Sequence, residues 1–327
     1  MREANILQHS LHQYCPELHL KRLNSLMLAS KALIECKTLT LTELGRNLPT
    51  TARTKHNIKR IDRLLGNTHL HQERLAVYQW HASLICSGNP MPIVLVDWSD
   101  IREHKRIMAL RASIAFNGRS ITLYEKSYPL SEQCSKASHN GFLADLAKIL
   151  PFHLTLYRSK PKGRTNQRST RTNCHHPSAK TYSTSAKEPW VLASNLPPES
   201  RSPKQLVNLY AKRMQIEETF RDLKSPAYGF GLRQSRTNSP ERFDIILLIA
   251  LMVQCLLWLV GLHAQQQGWD KHFQANTIGH RTVLSTIRLG LEVLRRPDYQ
   301  ITEKELLAAW VLFANQLLKY GYAMADL

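Results

Sequence analysis

The stretch FDIILLIALMVQCLLWLVGL, Phe243 to Leu262, restricts the fold more than any other part of the chain. It is apolar on every side, so it forms a helix only where neighbours cover its whole circumference. Two surroundings do that: a bilayer, for which the length suffices, or the centre of a large soluble domain. Asp244 and Gln254 lie inside the stretch, and the rest of the chain is polar. The expectation is a buried central helix around which other elements assemble, with no membrane as partner.

The 327 residues suffice for two domains, or for one large domain with an appendage. The charge balance narrows the partner. Forty-four Lys and Arg face twenty-five Asp and Glu, a net charge of +19. Such an excess points to a polyanion, nucleic acid first. A membrane surface also attracts basic proteins, but here the cations are spread along the chain instead of flanking one apolar helix. Six scattered cysteines include no CxxC pair, and the N-terminus carries no apolar signal core. A reducing cytoplasm is the expected location.

The first ninety residues read as helical. HLKRLNSLMLASKALIEC has helical apolar spacing, and LTLTELGRNLPTTARTKHNIKRIDRLLG reads as a short helix, a turn around Leu48–Pro49–Thr50 and a second helix. Thr50 or Thr51 is the expected cap of that second helix. Ile58, Ile61, Leu64 and Leu65 take its core positions, while Arg53, Lys55, Lys59, Arg60 and Arg63 supply a basic outer surface. The arrangement resembles a helix-turn-helix reader of DNA; a helical bundle with a solvated basic face is the other reading.

MPIVLVDWSD follows. Ile93 to Val96 is a β-branched and Leu run of the kind found in buried central strands. It runs without a break into Asp97, where a charge is costly unless paired or bound to metal. Asp97 is therefore a site candidate, with a turn-capping Asp as the plain alternative. Two strands, about 107–116 and 120–128, flank an Asn117–Gly118 hairpin signal. GFLADLAKIL reads as an amphipathic helix with Phe142, Leu146, Ile149 and Leu150 inward. HLTLYR and PWVLASNLP read as further strands. The residues between them, 158 to 187, hold eight Lys or Arg and no acid, as a loop over a phosphate backbone would. Cys174–His176 offers zinc-binding residue types but no second cluster.

NLYAKRMQIEETFRDLK, Asn208 to Lys224, is the last informative stretch. On a helix, Tyr210, Arg213, Glu217 and Lys224 fall within an arc of roughly 60°. The arc borders an apolar stripe of Leu209, Ile216, Phe220 and Leu223. Half-sheltered polar groups suit a metal or phosphate site; a surface Glu–Lys ladder has the same spacing. Strand with Asp, hairpin strands, helix, later strand, helix with Glu: this order gives an α/β fold with an RNase H-like core and an N-terminal α-helical segment. The expected division is 1–88 helical and DNA-binding, 89–267 core with a basic insertion at 158–188, and 268–327 helical.

Tyr-x2-Arg-x3-Glu-x6-Lys resembles the signature of cut-and-paste transposases of the insertion-sequence-four family, and VLVDWSD resembles their first catalytic strand. The resemblance implies that Asp97 and Glu217 hold divalent metal, Mg²⁺ or Mn²⁺. It implies that Tyr210, Arg213 and Lys224 grip phosphates, and that the N-terminal helices bind terminal inverted repeats. The partner is then double-stranded DNA, at element ends and target, and self-association is compatible with the family. In that family water cuts first, and the freed 3′-hydroxyl then makes a hairpin and later joins target DNA. The family also uses a middle Asp, on a strand after the helix ending at Leu150. Between Ile101 and Leu209 the sole Asp is Asp145, inside that helix. KILP passes directly into FHLTLYR, so the resemblance implies an internal shortening near 151–154. A gap in the sheet is expected there, and the alternative function is a catalytically inactive DNA-binding remnant.

Overall fold

The computed structural model describes residues 3–36, 38–86, 92–102, 107–150, 153–157, 190–194, 205 and 211–319. Within them the chain begins with helices α1 (Glu3–Tyr14), α2 (Leu20–Glu35), α3 (Leu41–Arg46), α4 (Thr54–Leu65) and α5 (Thr68–Cys86). The pair α3–α4 has the expected helix-turn-helix order. The helices approach closely because Gly45 lies against Ile58: a Cβ there would sit 2.6 Å from the Ile58 Cα. Ile61, Leu64 and Leu65 are buried, whereas Arg53, Lys55, Lys59, Arg60 and Arg63 are all exposed. The expected cap is corrected: Arg53 occupies the N-cap of α4 with no side-chain capping bond. Thr50 instead donates from Oγ1 to Asn57 Oδ1 at 2.8 Å, and Asn57 bonds back to the Ala52 carbonyl. The buried Asn57 side chain thus satisfies the Ala52 carbonyl in the loop before α4.

The sheet contains β1 (Leu95–Asp100), β2 (Ile107–Phe116) and β3 (Arg119–Pro129), antiparallel in the order β1-β2-β3. Asn117 at φ 47° and Gly118 at φ 73° supply the two left-handed residues that a tight hairpin turn requires. After α6 (Lys136–Ile149), strands β4 (His153–Tyr157) and β5 (Trp190–Ser194) pair only with each other among the described strands. The later strand β5 lies against β1 but forms no ladder with it among the described residues. β1 accordingly has β2 as its sole ladder partner among the described residues.

The remaining helices are α7 (Met214–Lys224), α8 (Pro240–Gln266), α9 (Thr286–Leu294) and α10 (Glu303–Lys319). The all-apolar stretch is the body of α8, buried from Phe243 to Ala264. It packs against α2, α9, α10 and β3. Burial of each Leu or Ile contributes about 1.5–3 kcal/mol, so α8 anchors the helices of both ends of the chain to the sheet. Gly261 makes the crossing with α9 possible: a Cβ would fall 2.0 Å from the Thr286 carbonyl oxygen. The one carboxylate inside the apolar stretch, Asp244, pairs with Arg74 of α5 and accepts from the Ser127 backbone N–H at 2.7 Å.

Period-two alternation assigns the two faces of the sheet. Tyr124 and Lys126 of β3 reach Asp145 of α6. Glu125, between them, points the other way and holds Arg111 of β2 at 2.6 Å, with both side chains fully buried. The Arg111 guanidinium lies 3.7 Å from the centre of the Phe220 ring on α7. Helix α6 therefore covers one face and α7 the other. Thr219 fixes α7 by accepting from the Ser120 N–H at 2.8 Å.

Candidate active site

The same alternation puts Asp97 and Ser99 of β1 on the α7 side. Asp97 Oδ2 accepts from Arg213 at 2.8 Å, and its Oδ1 accepts from the Trp98 N–H at 3.0 Å. Arg213 is the N-cap residue of α7, Glu217 lies one turn further on, and Lys224 ends the helix. Lys224 Nζ donates to Ser99 Oγ at 2.9 Å and lies 3.7 Å from Asp100 Oδ1. Arg233 holds the other Asp100 oxygen. The structure thus brings Asp97, Arg213, Glu217 and Lys224 to one surface. Tyr210 lies outside the described residues. The basic residues of α4 belong to a different surface, on the N-terminal helices.

The electrostatics follow from partial burial. Desolvation raises the Asp97 pKa above the ordinary carboxylate value, against the lowering effect of Arg213. Glu217 is raised for the same reason; Lys224 and Arg213 oppose the shift, while Asp97 and Asp100 add to it by repulsion. Lys224 is lowered by burial, against the pull of Asp100 and Glu217. Glu217 therefore feels the charge of Asp97, while Arg213 pairs with Asp97.

Two-metal phosphoryl transfer uses oxygen ligands around a pair of ions about 4 Å apart. The described residues do not assemble the oxygen ligands for that pair. Among the described residues no three His, Cys, Asp or Glu side chains gather as a metal cluster. Asp145 is on the opposite face of the sheet, bonded to Tyr124, Lys126 and Lys148. Asp100 is tied to Arg233 and Lys224. Asp97, expected with Glu217 as a metal ligand, forms an ion pair with Arg213. The expected phosphate-gripping cations, Arg213 and Lys224, are engaged with Asp97, Ser99 and Asp100.

Sequence reasoning missed the Arg111–Glu125 pair and the Asp100–Arg233 pair. The first was hidden by a bulge: the register set at the Asn117–Gly118 turn would put Arg111 opposite Tyr124, and the shift between Ala112 and Ser113 moves it opposite Glu125, in one cross-strand row with Asp97. The second joins residues far apart in the chain and has no local signal.

The family profile described as transposase DDE domain matches residues 88–256, more than half of the chain. The match spans β1, the hairpin, α6, α7 and half of α8. The chain belongs to the DDE transposase family, whose members act on DNA and use divalent metal. No curated protein matches it.

Proposed function

We propose that this chain binds the terminal inverted repeats of a mobile DNA element through α3–α4 but does not cut them. The finer family placement we propose is the insertion-sequence-four branch, with a resemblance to the transposase of insertion sequence ten and an internal shortening near 151–154. One observation carries the reading: Asp97 is neutralised by Arg213 beside Glu217, the neighbouring Asp100 is taken by Lys224 and Arg233, and no three acids gather as a metal cluster among the described residues. A metal-dependent cleaving transposase needs Asp97 free to take Mg²⁺ or Mn²⁺ together with two further acids.

End recognition rests on the exposed Arg53, Lys55, Lys59, Arg60 and Arg63, set on a helix whose other side is locked into the core. Cations so placed neutralise backbone phosphates and release counterions, so binding weakens steeply with salt. A gel-shift series with element-end DNA against scrambled DNA tests the reading. Tighter binding to the element end, undiminished by metal chelation, is expected. Equal affinity for the two duplexes contradicts end recognition.

A further inference from the structure

A concavity among the described residues lies between the N-terminal helices and the connection from α7 to α8. It has a volume of about 830 Å³. Five arginines line it, Arg46, Arg102, Arg233, Arg236 and Arg242, against a single acid, Glu43. Leu65 at the end of α4 and Ile246 of α8 also line it, so it begins where the basic reading helix ends. Arg233 and Gln234 line a second concavity shared with Glu217 and Lys224. The two hollows therefore share Arg233 and Gln234, which stand between the foot of α4 and Glu217.

The engagements of these arginines are weak or exchangeable. Arg46 pairs with Glu43 and Arg242 with the exposed Asp62, contacts typically worth no more than about 1 kcal/mol at a surface. Arg102 meets only the neutral Asn238, and Arg236 has no side-chain partner among the described residues. Five guanidiniums around one hollow repel one another and concentrate anions. Planar guanidinium forks match phosphate oxygens. An open trough shared by two elements and sharing residues with another hollow suits an extended polyanion better than a small one.

We infer that this arginine-lined cleft is the track of one phosphate strand of duplex DNA, guiding it from α4 to the surface of Asp97 and Glu217. The inference rests on the DNA-binding reading above and adds the route. Arg233, now on Asp100, exchanges that carboxylate for phosphate when the strand is seated.

The test is fluorescence anisotropy of the full chain with a labelled duplex of about 30 base pairs, over about 0.05 to 0.2 M salt. Arg102→Gln/Arg236→Gln removes two cleft charges without touching the core. Lys271→Gln/Arg281→Gln removes two exposed charges from outside the cleft and serves as the matched control. Each phosphate contact adds about 0.9 to the slope of log affinity against log salt, so the cleft variant should lose about 1.8 and bind roughly tenfold more weakly. The control should keep the slope of the unaltered chain. An unchanged cleft variant, or an equal loss in both variants, overturns the cleft while leaving DNA binding by α4 in place. Absence of binding by the unaltered chain removes the DNA-binding reading itself, and the cleft with it.

Discussion

The α3–α4 pair and the β1–β3 sheet are built on opposite principles. Every backbone bond inside α4 is made within eighteen ångströms of its own chain, about 1.5 Å per residue, so the helix needs neighbours only for its apolar face. A strand depends on what lies beside it. β1 carries Asp97 but pairs on one side alone among the described strands, and β4–β5 closes on itself. A proposed shortening near 151–154 therefore leaves a helical reading surface whole and a catalytic surface incomplete. Recognition made from local elements survives changes that break a site assembled from several strand and helix ends.

The largest way to sharpen this contrast is to strike the sheet without touching α4. Arg111→Met leaves Glu125 buried and unpaired, which typically costs about 3–5 kcal/mol. Denaturant unfolding should show that loss, while DNA affinity stays unchanged at temperatures where the variant remains folded. Arg111→Met/Glu125→Met should recover most of the stability, because removing both charges is often neutral. Failure of the double variant to recover would mean that the pair does more than neutralise itself.

The reverse strike is Lys59→Ala/Arg60→Ala/Arg63→Ala on the exposed side of α4. Loss of about three phosphate contacts should weaken end binding roughly a hundredfold near physiological salt. Surface changes of this kind leave stability within about 0.5 kcal/mol per site, so the thermal midpoint should hardly move. A large fall in the midpoint would break the comparison by showing that the basic face is structural.

The division between local and non-local contacts also explains what could be read in advance. The hairpin, the α3–α4 pair, α6 and the buried α8 were legible because apolar period and turn residues act over short distances. The amphipathic spacing likewise set Arg213, Glu217 and Lys224 on a common surface. Asp145, on the flank of α6, is directed to Tyr124 and Lys126 on the other face of the sheet. The cap at Arg53 was not legible: Thr50 and Thr51 have the right chemistry, but Asn57 captures Thr50 from across the loop. The separate β4–β5 sheet was missed because strand runs do not state their partners. The Arg213–Asp97 pair joins residues more than a hundred positions apart. Only the folded site shows that a residue expected to grip phosphate holds a carboxylate instead.

A smaller effect comes from Asp97 itself. Its folded-state pKa is raised, chiefly by desolvation. The folded chain then binds the proton more readily than the unfolded chain does. Stability falls as pH rises from the ordinary carboxylate range through the raised value, and stays lowered at neutral pH. Asp97→Asn removes that penalty, so the thermal midpoint should rise slightly at pH 7, by about 1–2 °C. The gain should vanish below about pH 3.5, where an ordinary Asp is itself protonated. A fall at pH 7 would show that the Arg213 pair outweighs the burial cost.

Most directly, the central claim concerns chemistry at Asp97 and Glu217. A labelled DNA fragment bearing the element end, incubated with the full chain and Mg²⁺ or Mn²⁺, reports every step on a denaturing gel. The site described above predicts retarded but uncut DNA: no nick, hairpin or strand-transfer product above the level of Glu217→Ala. Cleavage above that control would contradict it, and would mean that a further carboxylate, Asp100 released from Arg233 or an acid of a second copy, completes the site.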